Sequence, residues 1–152
     1  MIRNLLITLI LTCLLGFSFA QPTSIYNAGK FINAQIKDTQ VNLEVVEQER
    51  DWYNGLSNRT NLCPNCGMLF NFFKSSDQTF VMREMNFPLD IVWLNHGLVT
   101  GISADLPAEH VEPYTPYPSP SAVDEVIELP SGFAAQHGIH VGDTINLYES
   151  LK

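Results

Sequence analysis

Cys63-Pro-Asn-Cys66 is the most conspicuous chemical motif in this sequence. Cysteines at this spacing serve as a redox dithiol, as half of a zinc site or as a small disulfide loop. Redox work wants the motif at a helix N-terminus, which depresses the first thiol's pKa, whereas Gly67-Met-Leu-Phe70 after it reads as strand. Zinc wants two further ligands, and His96, His110, His137 and His140 form no clean partner pair. A disulfide between Cys63 and Cys66 is the expectation, with no metal site. No Gly-rich phosphate loop, Gly-x-Ser-x-Gly or His-Glu-x-x-His occurs, and no cofactor is expected.

The second group of reactive types is Arg83, Glu84 and Asp90, within Phe80-Val-Met-Arg-Glu-Met-Asn-Phe-Pro-Leu-Asp-Ile-Val-Trp-Leu94. Charges among so many apolar neighbours need partners or a task. One reading is a structural ion pair at a strand junction; the other is the polar floor of a pocket. Asp90 follows Pro88-Leu89 and opens the apolar run Ile91-Val-Trp-Leu94, so its carboxylate should be partly desolvated, with Arg83 or Arg59 as its expected partner. Glu84 and Asp90 could also form an acid/base couple, a chemistry that depends on their separation.

These residues require a scaffold of strands. Phe31 to Ile36 and Val41 to Val46 flank the polar loop Lys37-Asp-Thr-Gln40 as a hairpin. Gln48 to Leu56 loses the alternation, carries acids early and reads as a short helix ending near Gly55. Gly67 to Phe73 is a strand leading into the Phe80–Leu94 stretch, in which Phe80, Met82 and Glu84 share a face at period two and Pro88 breaks the ladder. Asn95-His96-Gly97 makes a tight turn into Leu98 to Ile102, leaving His96 at an exposed tip. Residues 105–122 hold Pro107, Pro113, Pro116, Pro118 and Pro120 with Tyr114 and Tyr117, which excludes helix and central strand. The tyrosines suit a cover over the sheet or a lid beside a pocket, with Tyr117 a candidate binding residue. Val123 to Leu129 is a strand, a short helix starts at Pro130-Ser-Gly132, and Thr144 to Tyr148 is the last strand.

The chain has 152 residues, 45% of them hydrophobic and 16% charged, which suits one compact domain. Residues 1–20 carry one charge, Arg3, then an apolar run ending in Ser18-Phe19-Ala20, the pattern a signal peptidase accepts. A cleaved signal with a tether at 21–29 and a domain at 30–152 is expected. With the signal cleaved no stable membrane span should remain and the protein should be secreted or periplasmic; the alternative is an uncleaved N-terminal anchor, for which the apolar run is long enough to be considered but short of the usual ~18 to 20 residues of a spanning helix. Cleavage removes Arg3 and no acid, leaving 16 acidic against 8 − 1 = 7 basic residues. That balance repels phosphate backbones and disfavours nucleic-acid partners.

Several of these pieces also match a known family in order. Glu47 to Arg59 with Gly55-Leu56, Gly67-Met-Leu-Phe70, Phe80-x-Met82-Arg83 running into Pro88-Leu-Asp-Ile91, the Pro/Tyr-rich loop, Val126-Ile-Glu-Leu-Pro-Ser-Gly132 and Gly138-Ile-x-Val-Gly-Asp143 together resemble the Domain of Unknown Function 192 family. Many members carry Asn-Thr where this chain has Glu84-Met85, and the cysteine pair looks local to this branch. The resemblance implies a small, mostly β domain, often behind a signal peptide, and no particular reaction.

The combined expectation is a mainly β (β-rich α+β) sandwich or partly closed barrel of about seven to eight strands with two short helices. Its expected role is a non-enzymatic binding or interaction module, for a small molecule or a protein. The expected site lies between Phe80–Leu94 and loop 105–122 and draws on Arg83, Glu84, Asp90, Tyr117 and Arg59. The alternative is an extracytoplasmic enzyme using Asp90 with Glu84, or Cys63 with Cys66.

Overall fold

The computed structural model describes residues 29–147. The expected signal at 1–20, the tether up to residue 28 and the Tyr148 end of the expected last strand lie outside them.

Alternating side chains build the first hairpin. β1 (Lys30–Ile36) and β2 (Thr39–Val46) pair antiparallel, Ile36 opposite Thr39 and Lys30 opposite Val45. Ile32, Ala34, Ile36, Val41, Leu43 and Val45 are buried together on one face. Past Val46 the alternation stops and the chain leaves the sheet as α1 (Glu49–Asn54), then returns as β3 (Cys66–Ser76), parallel to β2. A parallel pair cannot be joined by a tight turn; this connection carries α1 and the loop holding Arg59 and Cys63.

β4 (Thr79–Phe80) is short, and β5 (Leu89–Asn95) and β6 (Leu98–Leu106) form the second hairpin. β7 (Tyr117–Pro118) pairs with β4, β8 (Val123–Pro130) inserts between β3 and β5, and α2 (Phe133–Gln136) follows. The main sheet therefore runs β1-β2-β3-β8-β5-β6, with β4-β7 as a separate two-stranded ladder. Every neighbouring pair is antiparallel except β2-β3.

One core fills each face of the large sheet. The first gathers the inward side chains of β1 and β2 with Leu69, Val92, Leu94, Ile127 and Leu129 under Phe133, Ala134, Ile139 and Ile145. The second holds Met68, Phe70, Ile91, Trp93 and Val126 with Leu56, Met82 and Met85. Strands covered on both sides read as unbroken apolar runs, and Leu89 to Leu94 is buried at every position.

The strand-rich fold with two short helices agrees with expectation, as an open six-stranded sheet with a small second sheet rather than a closed barrel. Three local readings are corrected. The expected strand over Phe80–Met85 ends at Phe80: Glu84 takes φ 52°, a left-handed turn that ends the period of two, so Met82 and Met85 both face the core. β3 runs on to Ser76 through a register shift between Asn71 and Ser76. In place of the expected last strand, residues 144–146 make isolated bridges from Thr144 to Leu98 and from Asn146 to Gln35.

Candidate functional site

Strand register sets four side chains abreast on the second-core face. Glu44, Met68, Glu128 and Ile91 are successive partners across β2, β3, β8 and β5. Glu128 therefore stands in the middle of the sheet with apolar neighbours on either side, and is 6% exposed. α1 lies over this row, held by the Trp52 indole donating to the Val46 carbonyl at 3.2 Å. At its end Gly55 adopts φ 49° and ψ −131°. That left-handed backbone, rather than lack of space, calls for glycine: a Cβ there would make ordinary contacts, 3.4 Å to Phe70 Cζ and 3.8 Å to Glu128 Oε2.

A cleft of about 330 Å³ opens between α1 and residues 78–85. Phe70, Phe72, Phe80 and Trp52 line its apolar part, while Tyr53, Arg83 and Glu49 supply polar wall. The rings meet edge to face: Phe70 and Phe80 at 4.9 Å, Trp52 and Phe72 at 5.0 Å, Phe80 and Trp93 at 5.5 Å. Such contacts favour a fixed arrangement over a collapsible one. Glu128 completes the lining, and its Oε2 has no hydrogen-bond partner. Burial pushes the Glu128 carboxyl up to about 8 from its usual 4.5, with the positive charge of Arg59 pulling the other way. Arg59 itself is bound to Glu44 at 2.7 Å.

The residues singled out from sequence fall in different places. Arg83 lines the cleft, donates to the Tyr53 carbonyl and lays its guanidinium 3.8 Å from the centre of the Tyr53 ring. Arg59 acts on Glu128 from the loop after α1. Glu84 points elsewhere, accepting from the Tyr114 hydroxyl at 3.1 Å with His110 3.9 Å away. Tyr117 packs against the second core within the β4-β7 ladder. None of residues 105–122 lines the cleft; that loop braces the far side of the 79–84 segment through β4-β7 and Tyr114.

Asp90 is fully buried on the opposite face, and its expected arginine partner is corrected. Its Oδ1 accepts from the backbone N–H of Asp105 (2.9 Å) and Gly132 (3.1 Å), and its Oδ2 from that of Ala134 (2.9 Å). Amides replace the cation because the start of α2 folds over this end of β5, presenting the Gly132 and Ala134 donors that are otherwise unpaired at a helix start, while β6 supplies the Asp105 N–H.

Glu128 escaped the sequence reading, although it lies within a motif used for the resemblance. An acid between Ile127 and Leu129, in a strand apolar enough to be central, was the available signal. The cysteines match expectation: Cys63, in the loop before β3, and Cys66, the first residue of β3, are joined as a disulfide.

Residues 32–147 match the family model of Domain of Unknown Function 192, described as an uncharacterized ACR. The chain belongs to this family. Its fold is similar to that of a protein of unknown function from Novosphingobium aromaticivorans DSM 12444, at 27% identity and a TM-score of 0.68 over 76% of this chain and 83% of that one. A putative transcription regulator from Sinorhizobium meliloti 1021 shares the fold at 23% identity and a TM-score of 0.69, over 76% of this chain and 92% of that one. No curated protein matches the sequence. Domain of Unknown Function 192 thus accounts for the β-rich architecture and assigns no reaction to the cleft.

Proposed function

We propose that this protein is an extracytoplasmic binding module that holds a small organic molecule in the cleft between α1 and residues 78–85. The observation that carries the reading is Glu128, a buried carboxyl at the cleft lining with an oxygen left unpaired. Such a group costs stability unless something supplies its missing hydrogen bond, and an open, aromatic-lined cleft is where a ligand could supply it. Ser18-Phe19-Ala20 after an apolar run supports export.

Binding is favoured over catalysis by the other candidate groups. Asp90 is occupied by three amides, Glu84 is bonded to Tyr114, and Cys66 opens a strand rather than the helix N-terminus that would lower a thiol's pKa. An acid/base role for Glu128 is the second reading, since a carboxyl at about 8 exchanges its proton near neutral pH.

Amide-resolved NMR during a fragment screen tests the proposal. Small molecules with an apolar body should shift the resonances of Trp52–Ser57 and Gln78–Arg83 as one group. A screen in which fragments move other regions, or none, refutes the assignment of this cleft.

A further inference from the structure

Resting on that reading, we infer that the cleft selects a protonated amine carrying a compact aromatic body, with the ammonium donating to Glu128 Oε2. The resident cations near Glu128 have other engagements. Arg59 is paired with Glu44 at 2.7 Å, and Arg83 is stacked on Tyr53 and bonded to the Tyr53 carbonyl. The missing partner of Oε2 is therefore a donor that arrives from outside, and a cation compensates the ionised carboxylate where a neutral donor would not.

The remaining lining fits the rest of such a molecule. Phe70, Phe72 and Phe80 offer ring edges and faces to an aromatic body, and aromatic rings also attract an ammonium by cation–π contact. A water-sized group takes about 30 Å³, so about 330 Å³ admits a ligand of about ten heavy atoms. The chain's formal charge of −8 favours cations on approach.

Binding is linked to a proton. The amine keeps its own, having a pKa near the ~10.4 of a lysine side chain, while the Glu128 carboxyl releases its proton to solvent as the ion pair forms. Charged or titratable groups around Glu128 are Glu44 on β2, Glu49 and Tyr53 on α1, Arg59 in the following loop and Arg83 on the opposite wall. With the Glu128 carboxyl at about 8, its ionised fraction, and with it the amine affinity, rises about tenfold from pH 7 to pH 9.

Titration calorimetry with 2-phenylethylamine, 2-phenylethanol and 3-phenylpropionate tests the inference on the purified protein. The amine should bind at least tenfold tighter than the alcohol at pH 9 and tighter at pH 9 than at pH 7. Glu128→Gln should bring amine and alcohol level. Equal binding of amine and alcohol by the wild type leaves the cleft as a ligand site and overturns the amine selection. Preference for the propionate overturns it in favour of an anion held by Arg83. Failure of all three to bind, with no cleft resonances shifted, overturns the inference and the binding reading together. Should Glu128→Gln fail to fold, the wild-type pH series decides: an amine affinity that stays flat from pH 7 to pH 9 refutes the role of Glu128.

Discussion

Replacing Asp90 by asparagine removes a charge while keeping the shape of the side chain, and its cost can be worked from three hydrogen bonds. Oδ1 serves two amides, those of Asp105 and Gly132, and Oδ2 serves that of Ala134. If the asparagine oxygen keeps the pair at Oδ1, its NH2 group faces the Ala134 N–H, donor against donor. That loses one bond to a charged acceptor, about 1.5 to 3 kcal/mol, and leaves a buried donor unsatisfied. The two surviving bonds lose their charge assistance, about half their strength. A total of about 3 to 5 kcal/mol follows, or a fall in Tm on the order of 10 °C for a domain of this size. Thermal unfolding by circular dichroism measures it, with amide exchange at Asp105, Gly132 and Ala134 as the local report. A Tm within about 2 °C of wild type, or unchanged protection at those amides, would refute the reasoning.

Glu128→Gln should remove a pH-dependent penalty: with its folded pKa raised from 4.5 to about 8, the group destabilises the wild type progressively from about pH 4.5, where the unfolded chain begins to lose the proton, and the cost levels off above about pH 8. Urea unfolding at pH 5 and pH 8 should therefore show a variant advantage that grows with pH by up to about 4 kcal/mol, and an advantage shrinking with pH would contradict it. Replacing Cys63 and Cys66 together by serine should leave the fold intact at a cost of about 2 kcal/mol, the chain-entropy value for so short a loop; loss of native dispersion in NMR spectra would show the staple to be essential. Intact-mass analysis of protein recovered from the exporting host should find a species beginning at Gln21, and one still beginning at Met1 would defeat the cleavage prediction.

The strands were legible where one face is buried. Ile32, Ala34 and Ile36, then Val41, Leu43 and Val45, alternate in sequence as they do in space, and Asn95-His96-Gly97 marks the second hairpin by turn chemistry. The burial of Asp90 was also readable, from the apolar run behind it. Its partners were not, because backbone donors belong to whichever segment folds over the site and leave no mark in residue type. Glu84 adopts a left-handed conformation that its residue type does not announce, so the turn that sends both Met82 and Met85 into the core left no mark in the sequence. Glu128 illustrates a different gap: its environment depends on β2, β3 and β5 lying beside it, and that order is a property of the assembled sheet.

Residues 137–146 join parts of the fold that are far apart in the chain. His137 meets Thr39 at 2.8 Å and Asp143 holds Lys37 at 2.6 Å, both at the turn of the first hairpin, while Val99 donates to the Asp143 carbonyl and Ile145 to that of Gly97, at the turn of the second. The bridges of Asn146 to Gln35 and Thr144 to Leu98 occupy hydrogen-bonding positions on β1 and β6, the two outer strands of the sheet. Exposed strand edges recruit other chains. This segment follows all six strands of the main sheet in the sequence, so both borders are covered by the part of the described chain that comes last.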